Sequence, residues 1–224
     1  MDTPMPLPHI EPYDLPAPRD LPANRADWRL DPARAVLLVH DMQHYFLHAY
    51  RPGAQPIEGA VANIAALRSA ARAAGVPVLY TAKPGGMTPE HRGLEGDFWG
   101  PGMRADAAET DIAAPLRPGE GEALITKSRY SAFVGTDLAE RLRRQGRDQL
   151  LVTGVYAHIG CLLTAADAFM RDIQPFLIAD ATADFSAEDH RFALRYVAQR
   201  CGVALTAHEA ATALAPAPAL DSRV

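Results

Sequence analysis

The chain has only two cysteines in 224 residues, Cys161 and Cys201. Two thiols so far apart supply neither a disulfide framework nor a zinc-ligand cluster, and a reducing cytoplasm is the expected setting. Basic excess is missing as well: 22 Lys and Arg stand against 27 Asp and Glu, a formal net charge of −5. That balance gives no electrostatic reason to expect nucleic acid or an anionic membrane as partner, although a local cluster of cations can still hold a small anion. No apolar run approaches the ~20 residues needed to span a bilayer. The start, MDTPMPLPHIEPYDLP, lacks the basic end and apolar core of a secretory leader. A soluble cytoplasmic protein is the expectation.

What is present points to one domain with two appendages. Seven prolines fall within residues 1–24 with no periodic apolar face, which predicts an extended arm lying on the domain or on a partner. Residues 25–214 read as the domain, and 215–224, rich in Ala and Pro, as a flexible tail. Within the domain, short β-prone runs alternate with helical patterns. Ala35–Val39 is continuously apolar, the mark of a strand buried on both faces. Further strands are predicted over 76–82, 123–127, 149–155, 175–182 and 202–207, and helices over 58–74, 136–145, 160–172 and 186–200. Ser186 and Asp189 have capping-box spacing at the start of that last helix. The alternation predicts an α/β, Rossmann-like fold of three layers, a six-stranded and mostly parallel sheet with helices on both faces. Ligands of such sheets sit beyond the carboxyl ends of the strands.

Those ends carry chemistry. The first strand runs into His40-Asp41-Met42-Gln43, the third ends at Lys127, and the fourth leads into GVYAHIGC, residues 154–161. A carboxylate at a strand end can be a cap, half of an ion pair, or a catalytic acid or base. Residues 84–103, with Arg92, Phe98, Trp99 and several Gly and Pro, suit a folded loop covering a pocket. Lys83 and Arg92, taken singly, read as solvated charges. HDMQHYFLH (40–48) is rich in His but lacks carboxylates at metal-site spacing, so no metal and no cofactor is implied. His44 reads as a pocket-edge or surface residue.

The stretches VLLVHDMQ, YTA-x-PG, RGLEGDFWGPGM, TK-x-RYSAF, GRDQLLVTGVYAHIGCLLTAADAFMRDI and PFLIADATADFS together resemble the isochorismatases, of both the siderophore-pathway and the phenazine-pathway kinds. The resemblance covers about residues 10–210. It implies hydrolysis of the enolpyruvyl vinyl ether of isochorismate or 2-amino-2-deoxyisochorismate, with Asp41 as general acid and Lys127 beside it. It also implies Gln43, Phe46, Lys83, Arg92, Trp99, Tyr156 and Gly160 as substrate-binding residues, a chorismate-derived small molecule as partner, and a homodimer or larger homo-oligomer.

The wider superfamily uses an Asp-Lys-Cys triad whose cysteine lies six residues after the glycine ending strand four. Six from Gly154 is Gly160, and Cys161 comes one residue late. On a helix one residue is about 100° of rotation, so the thiol is expected to be a buried bystander and Gly160 to leave room for substrate. A cysteine amidohydrolase acting through Cys161 and a non-catalytic binding member are the alternatives. Two departures bear on substrate: the family usually has Gln where this chain has Lys83, and Trp where it has Ser128. Because the sequence ends soon after its last predicted helix, the aryl carrier domain of many siderophore-pathway members is not expected, which is more like the phenazine-pathway hydrolase. GVYAHIGC and DAFMRDI stand closer to the siderophore branch.

Overall fold

The computed structural model describes residues 7–215. Residues 1–6 of the predicted arm, and the predicted tail apart from Ala215, lie outside the described residues. Six strands form one sheet: β1 (Ala35–His40), β2 (Val78–Ala82), β3 (Ala123–Thr126), β4 (Gln149–Val155), β5 (Gln174–Ala183) and β6 (Val203–Leu205). Their order is β3-β2-β1-β4-β5-β6, and every pairing is parallel. From β1 the chain adds β2 and β3 on one side, then returns to add β4 on the other. The strand order therefore reverses between β1 and β4, which opens a crevice at their carboxyl ends.

Helices cover both faces. α1 (His44–Leu47) follows β1 directly, and α2 (Ile57–Ala73) crosses to β2. Three short helices, α3 (Pro89–Arg92), α4 (Glu95–Trp99) and α5 (Ala107–Thr110), lie in the segment before β3. α6 (Leu138–Arg144), α7 (Leu162–Phe169), α8 (Ala187–Arg200) and α9 (Ala207–Leu214) complete the layers. β1 is buried along its whole length, and its alternation divides two cores. Ala35, Leu37 and Val39 join Ile57, Ile64 and Leu67 of α2 and Leu214 of α9. Val36 and Leu38 join Leu142 of α6, Leu162 and Ala165 of α7, and Leu194 and Val197 of α8.

Two expectations are corrected. The helix predicted over 160–172 is a π-helical turn, Ala157–Cys161, followed by α7. α9 was not anticipated, although its Thr206 and Glu209 form a complete capping box. From residue 7 onward the N-terminal segment is hydrogen-bonded to the rest of the fold. Ile10 N donates to Ala49 O at 2.8 Å, the Asp184 amide donates to the Tyr13 hydroxyl at 2.8 Å, and Asn24 exchanges hydrogen bonds with the backbone of Ala204.

Candidate active site

The parallel register sets His40 beside both Thr81 of β2 and Gly154 of β4. Gly154 is needed there: its φ is +106°, and a β-carbon would come 2.1 Å from the His40 carbonyl oxygen. Immediately beyond, Asp41 adopts φ 51°, a left-handed conformation that Asp tolerates better than most residues but that still costs about 1–3 kcal/mol. The surroundings pin it. Thr81 Oγ1 donates to Asp41 Oδ1 at 2.6 Å and Lys127 Nζ to Oδ2 at 2.6 Å. Lys127 also donates to the Arg129 carbonyl at 2.9 Å. Both members of the pair are buried. Burial acts to raise the Asp41 carboxyl pKa. His40, protonated only in the acid range, and the Lys127 charge, with hydrogen bonds from Lys127 and Thr81, act the other way and hold it down at about 2. Asp41 is therefore a carboxylate near neutral pH.

Asp41 and Lys127 face a pocket that is partly open to solvent. Its wall includes Phe46, Lys83, Arg92, Trp99, Tyr130, Tyr156, Phe185 and Leu7 of the arm. The 84–103 segment folds over the site as its composition suggested. Trp99 Nε1 donates to the Tyr130 hydroxyl at 2.7 Å, and the Trp99 ring meets Phe185 edge-on at 5.8 Å. Tyr156 packs on Phe185 at 4.4 Å and donates its hydroxyl to the Phe46 carbonyl at 2.8 Å. The pocket wall thus combines aromatic rings with Lys83, Arg92 and Lys127. Among the described residues no group of three or more His, Cys, Asp or Glu is placed to hold a metal ion; His44 and His48 stack on each other at 5.9 Å.

An isochorismatase-domain family model matches residues 35–209. The chain belongs to the isochorismatase family. It is 53% identical over 203 residues to the phenazine biosynthesis protein PhzD of Pseudomonas fluorescens, covering 91% of this chain and 97% of that protein. It is 48% identical over 215 residues to the isochorismatase of Bacillus subtilis (strain 168), covering 96% of this chain and 69% of that one. Among solved structures, a cysteine hydrolase from Pseudomonas syringae pv. phaseolicola 1448A matches with a TM-score of 0.76 at 26% identity, over 86% of this chain and 97% of that one.

Isochorismatases thus share their fold with an enzyme named for a cysteine, which gives the position of Cys161 particular interest. The thiol is fully buried in the core beneath α7 and α8, with Val36, Leu38 and Val152. Among the described residues its one hydrogen bond is to the Thr153 carbonyl, at 3.8 Å. Burial pushes its pKa well above the usual thiol value, and it does not line the pocket.

Several expectations for this site need correction. Gln43 does not line the pocket. Its amide is consumed as a brace: Nε2 donates to the Lys83 and Thr110 carbonyls at 2.9 Å each, and Oε1 accepts from Lys83 N at 2.7 Å. Gly160 lines the pocket, but the room left by its absent side chain is not open to substrate. A β-carbon there would lie 2.2 Å from His40 Cε1. The His40 ring is held between the Val155 and Tyr130 carbonyls at 3.0 and 3.2 Å, and burial lowers its pKa to about 4. Ser128 is not in the wall either. Lys83 and Arg92 are not solvated charges: both are buried, and both reach the carboxylate of Glu95. Glu95 and Thr81 went unrecognised in the sequence, and His40 was named at its strand end without a role. The Arg92–Glu95 spacing of three, in RGLE, was the available signal for Glu95.

Proposed function

We propose that this protein hydrolyses the enolpyruvyl vinyl ether of isochorismate or 2-amino-2-deoxyisochorismate in secondary-metabolite biosynthesis. The products are pyruvate and a trans-dihydro hydroxy- or aminobenzoate. The observation that carries the reading is the Asp41 carboxylate, bound by Thr81 and Lys127 inside the pocket while the Cys161 thiol is sealed in a separate core.

A vinyl ether needs no acyl-enzyme. A proton delivered to its terminal methylene carbon gives an oxocarbenium ion, water adds to that ion, and the resulting hemiketal collapses to pyruvate and the ring alcohol. One placed acid is the main requirement. Asp41 fills that role, and Lys127 and Arg92 meet the substrate's carboxylates, fixing its orientation as well as its affinity. Phe46, Trp99 and Tyr156 form the apolar side against the ring, and the Gly160 backbone closes the pocket beside them.

Asp41 begins as a carboxylate, with a pKa of about 2, so it must gain a proton in the complex. A dianionic substrate supplies the cause: its carboxylates add negative charge next to Asp41, draw on Lys127 and exclude water, all of which raise the carboxyl pKa. Since the protonated form is the active one, kcat falls as pH rises, and solvent deuterium slows the reaction. A flat pH profile with no isotope effect would count against proton delivery by Asp41.

No helix of the described residues is long and apolar enough to cross a membrane. We place the reaction in the cytoplasm, in keeping with two free cysteines. We also take the working form to be a homodimer or larger homo-oligomer, because Leu163, Phe169, Phe192 and Tyr196 expose apolar surface on α7 and α8 of the kind a subunit contact covers. The experiment that tests the reaction is pyruvate release by the purified protein from each of the two substrates, with Asp41→Ala as control. Release that disappears in the variant supports the reading, and no release from either substrate overturns it.

A further inference from the structure

Glu95 is a carboxylate in the wall of a pocket built to take carboxylates. It lies on α4, within the covering segment, and is 7% exposed while lining the same pocket as Asp41 and Lys127. Its two oxygens are used unequally. Lys83 Nζ and Arg92 Nη1 both donate to Oε2, the latter at 3.4 Å. Oε1, equally buried, has no hydrogen-bond partner among the described residues.

A buried carboxylate oxygen without a donor is costly, and native proteins seldom leave one. The pocket makes the cost sharper. Glu95 is the second carboxylate in that wall after Asp41, and a bound substrate that shuts out water must bring a donor to meet it. Two cations already share Oε2 and hold the group in place, so the donor still wanted belongs on Oε1. A ring hydroxyl is a neutral donor. A protonated ring amine makes a charge-assisted hydrogen bond, roughly twice as strong.

We propose that Glu95, through Oε1, is a specificity-determining residue that accepts a hydrogen bond from a protonated amine on the substrate ring, so that the enzyme favours 2-amino-2-deoxyisochorismate over isochorismate. The inference rests on the vinyl ether hydrolase reading above. It also gives Lys83 a different task from gripping substrate: Lys83 orients the Glu95 carboxylate.

The test is kcat/KM for pyruvate release from both substrates by the wild type, by Glu95→Gln and by the double variant Lys83→Gln/Glu95→Gln. Each ratio compares two substrates on one protein preparation, so partial loss of folded enzyme cancels. The wild type should favour the amino substrate by about 10-fold or more, the usual worth of a hydrogen bond to a charged group. Most of that preference should be gone in the double variant. Glu95→Gln, which leaves Lys83 uncompensated beside the amine, should turn the preference toward isochorismate. A Glu95 that only neutralises Lys83 gives an unchanged ratio in the double variant, and that result overturns the proposal. Equal use of both substrates by the wild type overturns it while leaving the hydrolase reading intact, whereas no release from either brings down both.

Discussion

Asp41 and Cys161 follow adjacent central strands, β1 and β4, and lie at nearly the same depth, 4% and 0% exposed. Depth raises the pKa of both groups. At Asp41 a Lys127 ammonium and a Thr81 hydroxyl oppose it and win, so the group stays charged inside the molecule. At Cys161 apolar side chains and one carbonyl oxygen offer nothing to a thiolate. Burial therefore does not distinguish a reactive group from a packed one here. The donors around it do, together with the side of the sheet to which the turn delivers it.

The largest break in this comparison comes from removing the acid. Asp41→Asn keeps the shape of the side chain but has no proton to deliver, and kcat for pyruvate release is expected to fall about 10³-fold, the middle of the range for general acids. A variant within 10-fold of wild type would move the proton to another donor.

Next is the turn that separates the two groups. Gly160→Ala drives a methyl group into His40, whose ring has carbonyl contacts at both nitrogens and cannot swing away. Such overpacking costs about 1–3 kcal/mol, and because His40 precedes Asp41, KM and kcat should both suffer. Chemical unfolding of the variant measures the first and steady-state kinetics the second. Unchanged stability would show that the imidazole can yield, and that the space is available to substrate after all.

The ionised state of Asp41 can be sharpened by pH. Its folded pKa of about 2 lies below the unfolded value of about 3.9. The stabilisation is thus complete above the unfolded value and is lost as pH falls toward the folded one, on the order of 2 kcal/mol in all. The gap in unfolding free energy between wild type and Asp41→Asn should narrow by about 1 kcal/mol between pH 5 and pH 3. A constant gap would mean that the fold does not hold the Asp41 carboxyl below its ordinary pKa.

How far the sequence carried this picture depended on whether a feature was local. The strands were visible because β1 and its neighbours are apolar runs of the right length, and the sheet order placed Asp41, Lys127 and Tyr156 at one rim. Pairings across the fold were not visible. Thr81 reaches Asp41 only through the β1–β2 register, and Gln43 is drawn off as a brace by two backbone segments 40 and 67 residues away. Gly160 misled because a missing side chain looks like room for a ligand until its neighbour is known, and that neighbour is His40, 120 positions earlier. α9 was a different kind of miss: the Thr206–Glu209 spacing was local and legible.

The smallest expected effect bears most directly on which group is the bystander. Cys161→Ala removes one sulfur from a fully enclosed site, leaving a small cavity worth about 1 kcal/mol of stability. Activity should stay within about 2-fold, because the thiol does not line the pocket, and among the described residues its hydrogen bond ends on Thr153 O, inside β4. A small loss of stability with activity retained separates packing from chemistry at this position in a way that alkylation cannot, since a reagent large enough to label Cys161 would first have to open the core. Activity lost from a variant that still folds would reverse the comparison between the two turns, and Asp41 and Lys127 would then read as the partners of a nucleophile.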